Sequence, residues 1–187
     1  MRANGPARQI SSRHRMIISR TPLRLSFVGG GSDLPDFYER HGGAVVSTTM
    51  DKWIHVIVAR RFEEDVRVSY SRTEIVPNAR AVEHELAREA MRMTGVPRGV
   101  DIVTLADVPS HGSGVGSSSS VTVGLLNALY AFQGVYKSPL QLAEEAAKIE
   151  IGILGSRSVA KTSTPRPWEA STSSSSCLEA EGCELSQ

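Results

Sequence analysis

A glycine- and serine-rich segment, PSHGSGVGSSSS at residues 109–120, constrains the fold most, because it joins a strand-like run to a helix-like run. The sequence predicts a strand over Val100–Val108 and a helix over Ser117–Phe132, where apolar residues recur at helical spacing. Glycine allows a tight turn and a close approach of the backbone to a ligand. The unpaired N–H groups of a helix's first turn, together with its dipole, favour a bound phosphate. The segment therefore predicts an anion site, in which serine hydroxyls add donors for phosphate oxygens and candidate ligands for Mg²⁺.

The same segment is also compatible with a plain linker that ends in a helix N-cap. The segment fits neither common nucleotide-binding motif. It lacks the lysine of a Walker loop, and it does not match the dinucleotide-binding fingerprint, which expects an acidic residue about 20 residues further on at a strand end. It resembles the Pro-x-x-x-Gly-Leu-Gly-Ser-Ser motif of the GHMP kinases, the superfamily of galactokinase, homoserine kinase, mevalonate kinase and phosphomevalonate kinase. That resemblance implies that the loop wraps the phosphates of ATP, with contacts from Gly112, Gly114, Val115, Gly116, Ser117, Ser118 and Ser119.

A second glycine-rich segment, SRTPLRLSFVGGGSDLP at residues 19–35, predicts a short strand over Leu23–Val28 that ends in three glycines and Asp33. A carboxylate held on such a turn can accept hydrogen bonds from sugar hydroxyls. Arg20 and Arg24 alternate on one face of the strand, and their guanidinium groups can pair with a substrate phosphate. Taken alone, an aspartate in a turn is more often an N-cap, and two arginines on a strand are more often a solvated face.

This second segment resembles the opening of the sugar-phosphate branch of the GHMP superfamily, closest to the D-glycero-D-manno-heptose 7-phosphate kinases. The resemblance covers residues 16–155. It implies ATP-dependent transfer to a sugar phosphate, with ATP and Mg²⁺ as cofactors. Fucose kinases and other GHMP members share the phosphate loop, so they stay open as alternatives. The implied contacts to the sugar phosphate come from Arg20, Arg24, Gly30, Gly31, Ser32 and Asp33.

The rest of the chain alternates predicted strands and helices. Strands are predicted over Ala44–Thr49, Trp53–Arg60 and Val66–Tyr70, and a helix over Ala79–Thr94 that ends at Gly95. A further helix begins at the Ser138-Pro139 pair, which supplies an N-cap and a proline at the first helical position. Its predicted apolar stripe consists of Leu142, Ala146, Ile149 and Ile153.

Glu150 lies next to this stripe, and its spacing alone predicts a glutamate that faces solvent. The family resemblance implies a different role, in which Glu150 binds the Mg²⁺ that bridges the ATP phosphates, with Ser118 as a second candidate ligand. The same resemblance implies an α+β fold, the GHMP kinase N-terminal domain, which is similar to domain 2 of ribosomal protein S5. That fold is a mixed sheet with helices mainly on one face.

Composition agrees with one ordinary hydrophobic core. The chain has 187 residues, 40% hydrophobic content and a net charge of +1, so it has no electrostatic bias toward nucleic acid or anionic membranes. No run approaches the roughly 18 apolar residues of a membrane span, and the N-terminus lacks an apolar signal core. We therefore expect a cytoplasmic protein without nucleic-acid or membrane partners. Residues 1–15 are predicted to be a disordered leader before a natural start at Met16, and residues 16–155 to form the ATP-binding domain.

Residues 156–187 differ in character, with long Ser/Thr runs, both cysteines and no hydrophobic period. A low-complexity, disordered tail is one interpretation, with Ser171–Ser176 as an interaction segment. We favour a reading-frame error. Residues 161–170 can be written as DNA with a suitable choice of synonymous codons. When that DNA is read from the third base of the Lys161 codon, it encodes Asp-Gln-Tyr-Ala-Ala-Ala-Met-Gly-Gly. This string resembles the heptose kinase motif that carries the catalytic aspartate. We expect a frameshift between Gly155 and Lys161, and an uninterrupted genomic frame would contradict it.

The frameshift has consequences for function. The resemblance then implies a truncated and inactive N-terminal portion, because the catalytic aspartate is lost and the family's C-terminal domain is missing. We expect the apolar face that this domain covers to promote oligomerisation or aggregation. The alternative function is a non-catalytic module that binds ATP or a sugar phosphate.

Overall fold

The computed structural model describes residues 16–29, 32, 35–108, 117–153 and 184–186. These residues form a mixed sheet with packed helices. The strands are β1 (Met16–Val28), β2 (Val46–Arg60), β3 (Val66–Ser69), β4 (Thr73–Val76), β5 (Val100–Ala106) and β6 (Glu184–Ser186). The helices are α1 (Pro35–His41), α2 (Glu85–Thr94), α3 (Ser117–Phe132) and α4 (Pro139–Ala147), with a 3₁₀ turn at Ala79–Ala81 and a π-helical turn at Lys148–Ile153.

The strand order across the sheet is β4-β3-β5-β2-β1-β6. Neighbouring strands pair antiparallel except β3 and β5, which run parallel. Alternate side chains of β1 and of the second half of β2 are buried on the face of the sheet that packs against α3. The predicted α+β fold, a mixed sheet with helices mainly on one face, is confirmed.

Helix α3 is the centre of the core and has the predicted bounds. It packs on β1 and β2, and α2 and α4 pack against it. A helix enclosed on several sides must be apolar around most of its surface, which explains its buried Leu125, Leu126 and Leu129. Gly124 lies so close to β2 that an added Cβ would stand 3.0 Å from Val56 Cγ2.

No helix in the described ranges is long and apolar enough to cross a membrane.

Strand β2 differs from the prediction of two separate strands, because it is one strand with an irregular register. Pro22 pairs with Trp53, but Leu23 pairs with Met50, so Asp51 and Lys52 form a bulge in β2. A bulge interrupts the alternation of inward and outward side chains. The alternation of apolar and polar residues is therefore interrupted at the bulge, although β2 continues through it, and this interruption led to the prediction of two strands. Strand β1 is also longer than the predicted Leu23–Val28, while β3 and β5 end slightly before their predicted limits.

The predicted helix over residues 79–94 is wrong in its first half, where only a 3₁₀ turn forms before α2 begins at Glu85. The carboxylate of Glu74 on β4 accepts hydrogen bonds from the backbone N–H groups of Glu83 and His84, at 2.7 and 3.1 Å. This tertiary contact satisfies donors that a continuous helix would use internally. The end of α2 agrees with the prediction, since Gly95 is left-handed and donates its N–H to Met91.

His84 gives this N-terminus a pH dependence, because its Nδ1 accepts the N–H of Ala87 at 3.2 Å. Burial lowers the pKa of His84, and the carboxylate of Glu74 opposes that shift. A group whose folded pKa lies below its unfolded value of about 6.5 contributes stability above that pH and loses it as the pH falls. We expect protonation to remove an N-cap worth about 1 kcal/mol.

Urea denaturation at pH 7.5 and pH 5 measures this effect. His84→Asn keeps a capping oxygen that does not titrate, so this variant should lose less stability than the unsubstituted chain over the same pH interval. Equal losses for the two chains would show that His84 does not contribute to the pH dependence.

The segment over residues 156–187 is described only at Glu184–Ser186. These three residues pair antiparallel with Ile18–Arg20 at the outer edge of β1. They are therefore structured, whereas the rest of the predicted disordered tail and the predicted leader at residues 1–15 lie outside the described residues. The predicted domain limits remain predictions.

Candidate functional site

The N-terminus of α3 is held at the point where β1 and β2 change register. The hydroxyl of Ser120 donates to the carbonyl oxygen of Pro22 at 3.1 Å, and Ser120 itself is buried. Pro22 is the last residue of β1 before the register shift. The bulge and this hydrogen bond together fix where the first turn of α3, with its unpaired N–H groups, lies relative to the sheet.

Glu150 lies against this first turn and is buried, with 1% of its surface exposed. The hydroxyl of Thr122 lies 2.5 Å from Oε1, and the hydroxyl of Ser119 lies 3.2 Å from Oε2. The prediction of a solvent-facing glutamate from its spacing was wrong. The reason is the π-helical turn at Lys148–Ile153, whose wider turn changes the register, so that both Ile149 and Glu150 are buried.

The carboxyl of Glu150 is in an environment that favours a cation. Burial raises its pKa, and hydrogen bonds from the hydroxyls of Thr122, Ser119 and Ser118 oppose the rise. No charged side chain in the described part of the chain acts on this pKa. A carboxylate that is desolvated, and whose only described partners are hydroxyls, is stabilised by a positive ion.

The oxygen donors at this position fit Mg²⁺. This ion is usually bound by one or two carboxylates together with substrate phosphates, rather than by a cage made wholly of protein. The described ranges contain no group of three or more His, Cys, Asp or Glu side chains that could hold a metal. One buried glutamate beside a helix N-terminus, a position that favours phosphate, agrees with binding by one carboxylate together with substrate phosphates.

The phosphate-loop residues are only partly described. Ser118 is exposed in the first turn of α3, whereas Ser119 is buried and its hydroxyl contacts Glu150. Ser119 can therefore offer a phosphate its backbone N–H rather than its hydroxyl. Gly112, Gly114, Val115 and Gly116 lie outside the described residues, as does the side chain of Ser117, so their predicted phosphate contacts stay predictions.

The glycine triplet contains a residue that sequence reasoning missed. Gly29 has a φ of +94°, and a Cβ built on it would lie 1.9 Å from the carbonyl oxygen of Ala44. The hydroxyl of Ser32 lies 2.8 Å from the carbonyl oxygens of both Gly29 and Ala44. Ser32 thus holds the turn together, and its predicted contact with substrate is untested. Gly30, Gly31 and Asp33 lie outside the described residues.

Arg20 and Arg24 lie on the face of β1 opposite α3, because they alternate with the buried Thr21 and Leu23. The structure therefore does not bring them beside Glu150. The guanidinium of Arg20 stacks on Trp53, 3.6 Å from the ring centroid. Trp53 is fixed in turn by its backbone N–H, which donates to Asp107 at 3.0 Å. Sequence reasoning did not identify this stacked pair.

Comparison with known proteins finds a family that matches the part of the chain with this geometry. Residues 79–160, which include α3 and Glu150, match the family described as GHMP kinases N terminal domain. A heptose 1-phosphate kinase structure from Bacteroides thetaiotaomicron aligns with a TM-score of 0.66 and 23% identity, covering 74% of this chain and 49% of that one. The fold is that of a GHMP kinase N-terminal domain. GHMP kinases are ATP-dependent phosphotransferases.

Two further known proteins are similar to this chain. A curated D-glycero-alpha-D-manno-heptose 7-phosphate kinase of Campylobacter jejuni is 27% identical over 161 residues, covering 75% of this chain and 46% of that protein. A Methanococcus jannaschii mevalonate kinase structure aligns with a TM-score of 0.61 and 15% identity, covering 80% of this chain and 51% of that one. The chain spans about half the length of these GHMP relatives.

Proposed function

We propose that this chain is the ATP-binding part of a GHMP-type kinase that phosphorylates a sugar phosphate, of the D-glycero-D-manno-heptose 7-phosphate class. The observation that carries the proposal is the buried Glu150 against the first turn of α3, inside the range that matches the GHMP family. The resemblance at the glycine triplet and the name of the Campylobacter jejuni relative support the heptose class.

The residues of this chain would bind and orient ATP. The N–H groups of the first turn of α3 and its dipole hold the phosphates, and Ser118 and Glu150 hold Mg²⁺. When bound, Mg²⁺ neutralises phosphate charge and so favours attack by an oxygen nucleophile. Arg20, Arg24 and the turn with Gly30, Gly31, Ser32 and Asp33 bind the sugar phosphate in this proposal, by the residue matches in the segment at 19–35.

We further propose that the coding frame changes between Gly155 and Lys161. The GHMP family match ends at residue 160, which agrees with the position at which the alternative frame resembles the family. The aspartate encoded in that frame would supply the group near the attacking hydroxyl. The 187-residue chain, which lacks that aspartate, would then bind ATP without transferring phosphate.

An uncovered apolar surface supports the proposed tendency to associate. Phe27, Val28 and Val46, at the end of the β1–β2 pair, are 62%, 67% and 61% exposed. Val28 and Val46 are cross-strand partners, and neighbouring exposed apolar side chains of this kind can mark an interface. We place this protein in the cytoplasm, with ATP and a sugar phosphate as its partners.

Phosphoryl transfer from γ-labelled ATP tests the function. A protein expressed from the restored frame should label heptose 7-phosphate in preference to fucose or mevalonate, while the 187-residue chain should bind ATP and label none of them. Preferential labelling of fucose would favour another GHMP sugar kinase. Equal transfer by both proteins would contradict the frameshift, and no transfer by either would favour a non-catalytic binding module.

A further inference from the structure

Thr122 occupies an unusual position for a polar side chain, because it is fully buried on α3, in line with Leu125, Leu126 and Leu129. Its hydroxyl has two partners. It lies 2.5 Å from Oε1 of Glu150 and 3.0 Å from the carbonyl oxygen of Ser118, one turn earlier in the same helix. A buried threonine commonly makes only the second contact, which costs the helix little.

The two contacts compete, because a hydroxyl has one proton to donate. A carboxylate is the stronger acceptor when it is ionised, and the shorter distance is to Glu150. Thr94 on α2 offers an internal comparison. It is also buried and contacts a backbone carbonyl oxygen four residues earlier, Ala90, at 2.8 Å, without a carboxylate partner. Burial in a helix therefore does not by itself give a threonine a carboxylate partner, because the contacts described for Thr94 are with backbone carbonyl oxygens, whereas Thr122 also contacts Glu150.

The contact fixes one oxygen of Glu150, and Ser119 fixes the other. A carboxylate has about four lone-pair sites, so the hydroxyl donors of Thr122, Ser119 and Ser118 leave capacity for a cation. All three donors come from α3, the helix whose first turn we propose to bind phosphate. The orientation of the carboxylate is therefore tied to the same helix that would hold the nucleotide, and groups that orient a metal ligand typically change metal affinity about 10- to 100-fold.

We propose that Thr122 is a positioning residue, whose hydroxyl aims the Glu150 carboxylate at the Mg²⁺ of a bound Mg²⁺–nucleotide complex. This inference rests on the proposed function, because it assumes that Glu150 is the Mg²⁺ ligand. The hydroxyl of Thr122 then has a role in metal-dependent nucleotide binding, in addition to the contribution of the side chain to packing.

Calorimetric titration of the full chain with ADP, in excess Mg²⁺ and separately in EDTA, tests this role. Thr122→Val keeps the shape but removes the donor, so it should raise the dissociation constant in Mg²⁺ about 10- to 100-fold and leave the EDTA value unchanged. Thr122→Ser should restore the Mg²⁺ effect. Thr94→Val removes a buried hydroxyl whose described partners are the backbone carbonyl oxygens of Ala90 and Met91, so it should behave as the unsubstituted chain does.

Each outcome decides between separate claims. An unchanged dissociation constant in Mg²⁺ for Thr122→Val, in a chain that binds ADP, would overturn this inference alone. An equal loss in Mg²⁺ and in EDTA would show a purely structural role and would also overturn it. Absence of ADP binding by the unsubstituted chain would overturn the proposed function with it. Thr122→Ala, which also lacks the hydroxyl, gives the same comparison should Thr122→Val not fold.

Discussion

Replacing Glu150 with glutamine is expected to abolish the Mg²⁺ dependence of nucleotide binding while making the chain itself more stable. The amide keeps acceptor oxygen for a hydroxyl but carries no charge to bind the ion. Replacing a residue that only orients a metal ligand typically lowers metal affinity about 10- to 100-fold, so replacing the ligand itself should lower it at least as much. Calorimetric titration with ADP in Mg²⁺ and in EDTA measures the loss.

The gain in stability follows from burial. Because burial raises the pKa of Glu150 above its ordinary value of 4.5, the protonated form contributes stability that is fully present at low pH and lost as the pH rises through the folded value. Glu150→Gln should therefore exceed the unsubstituted chain in stability by a margin that grows from pH 4.5 up to the raised folded pKa and stays constant above it. Urea denaturation at several pH values measures that margin.

Glu144→Gln is the matched control, because it makes the same chemical change on the exposed side of α4. It should leave Mg²⁺-dependent nucleotide binding unchanged. If the two single substitutions had the same effect on nucleotide binding, Glu150 would have no specific role in binding Mg²⁺.

Replacing Gly29 with alanine is expected to destabilise the fold more than any other single methyl addition at a described glycine. A left-handed backbone costs an L-residue about 1–2 kcal/mol, and overpacking typically adds about 1–3 kcal/mol. The new Cβ would lie 1.9 Å from the Ala44 carbonyl oxygen, so the backbone must move, and the contacts that Ser32 makes there would be lost. Thermal or urea unfolding gives the loss directly.

Gly42 provides the comparison, since it also has a positive φ, +71°, but nothing lies within 4 Å of its added Cβ. Gly42→Ala should show only the conformational cost, about 1–2 kcal/mol. Equal destabilisation by the two substitutions would mean that the turn at Gly29 relaxes freely and is not held against Ala44.

The parts of the fold that follow from local sequence were predictable. Helix α3 has its predicted bounds because a run of small polar residues, followed by leucines at helical spacing, leaves few alternatives. The capping box at Ser138 and Gln141, and the left-handed Gly95, depend on residues close together in the chain. Short-range signals of this kind determine where elements begin and end.

The parts that were missed depend on tertiary contacts or on a change of helical period. Glu74 reaches the α2 N-terminus from another strand, and the bulge in β2 becomes visible only when β1 is paired with it. The π-helical turn buries Glu150 against a spacing argument that assumed a regular helix.

The sequence of α3 itself contains a signal for a buried polar partner at the site. Thr122 is three, four and seven residues before Leu125, Leu126 and Leu129, so it lies on the apolar stripe of α3, where a polar side chain requires a partner. Thr122 therefore indicates a buried polar group on a neighbouring element, and that group is Glu150. The sequence pattern of α3 alone does not indicate which residue this partner is.

Titration of the isotopically labelled chain with Mg²⁺–ADP, followed through its amide NMR spectrum, shows whether the first turn of α3 and Glu150 form a Mg²⁺–nucleotide site. We expect the largest shift changes on the amides of the predicted phosphate loop and the first turn of α3, including Ser118 and Ser119. We also expect these changes to shrink for Glu150→Gln. Shift changes confined to another part of the chain, or none at saturating nucleotide, would show that the nucleotide does not bind at this helix.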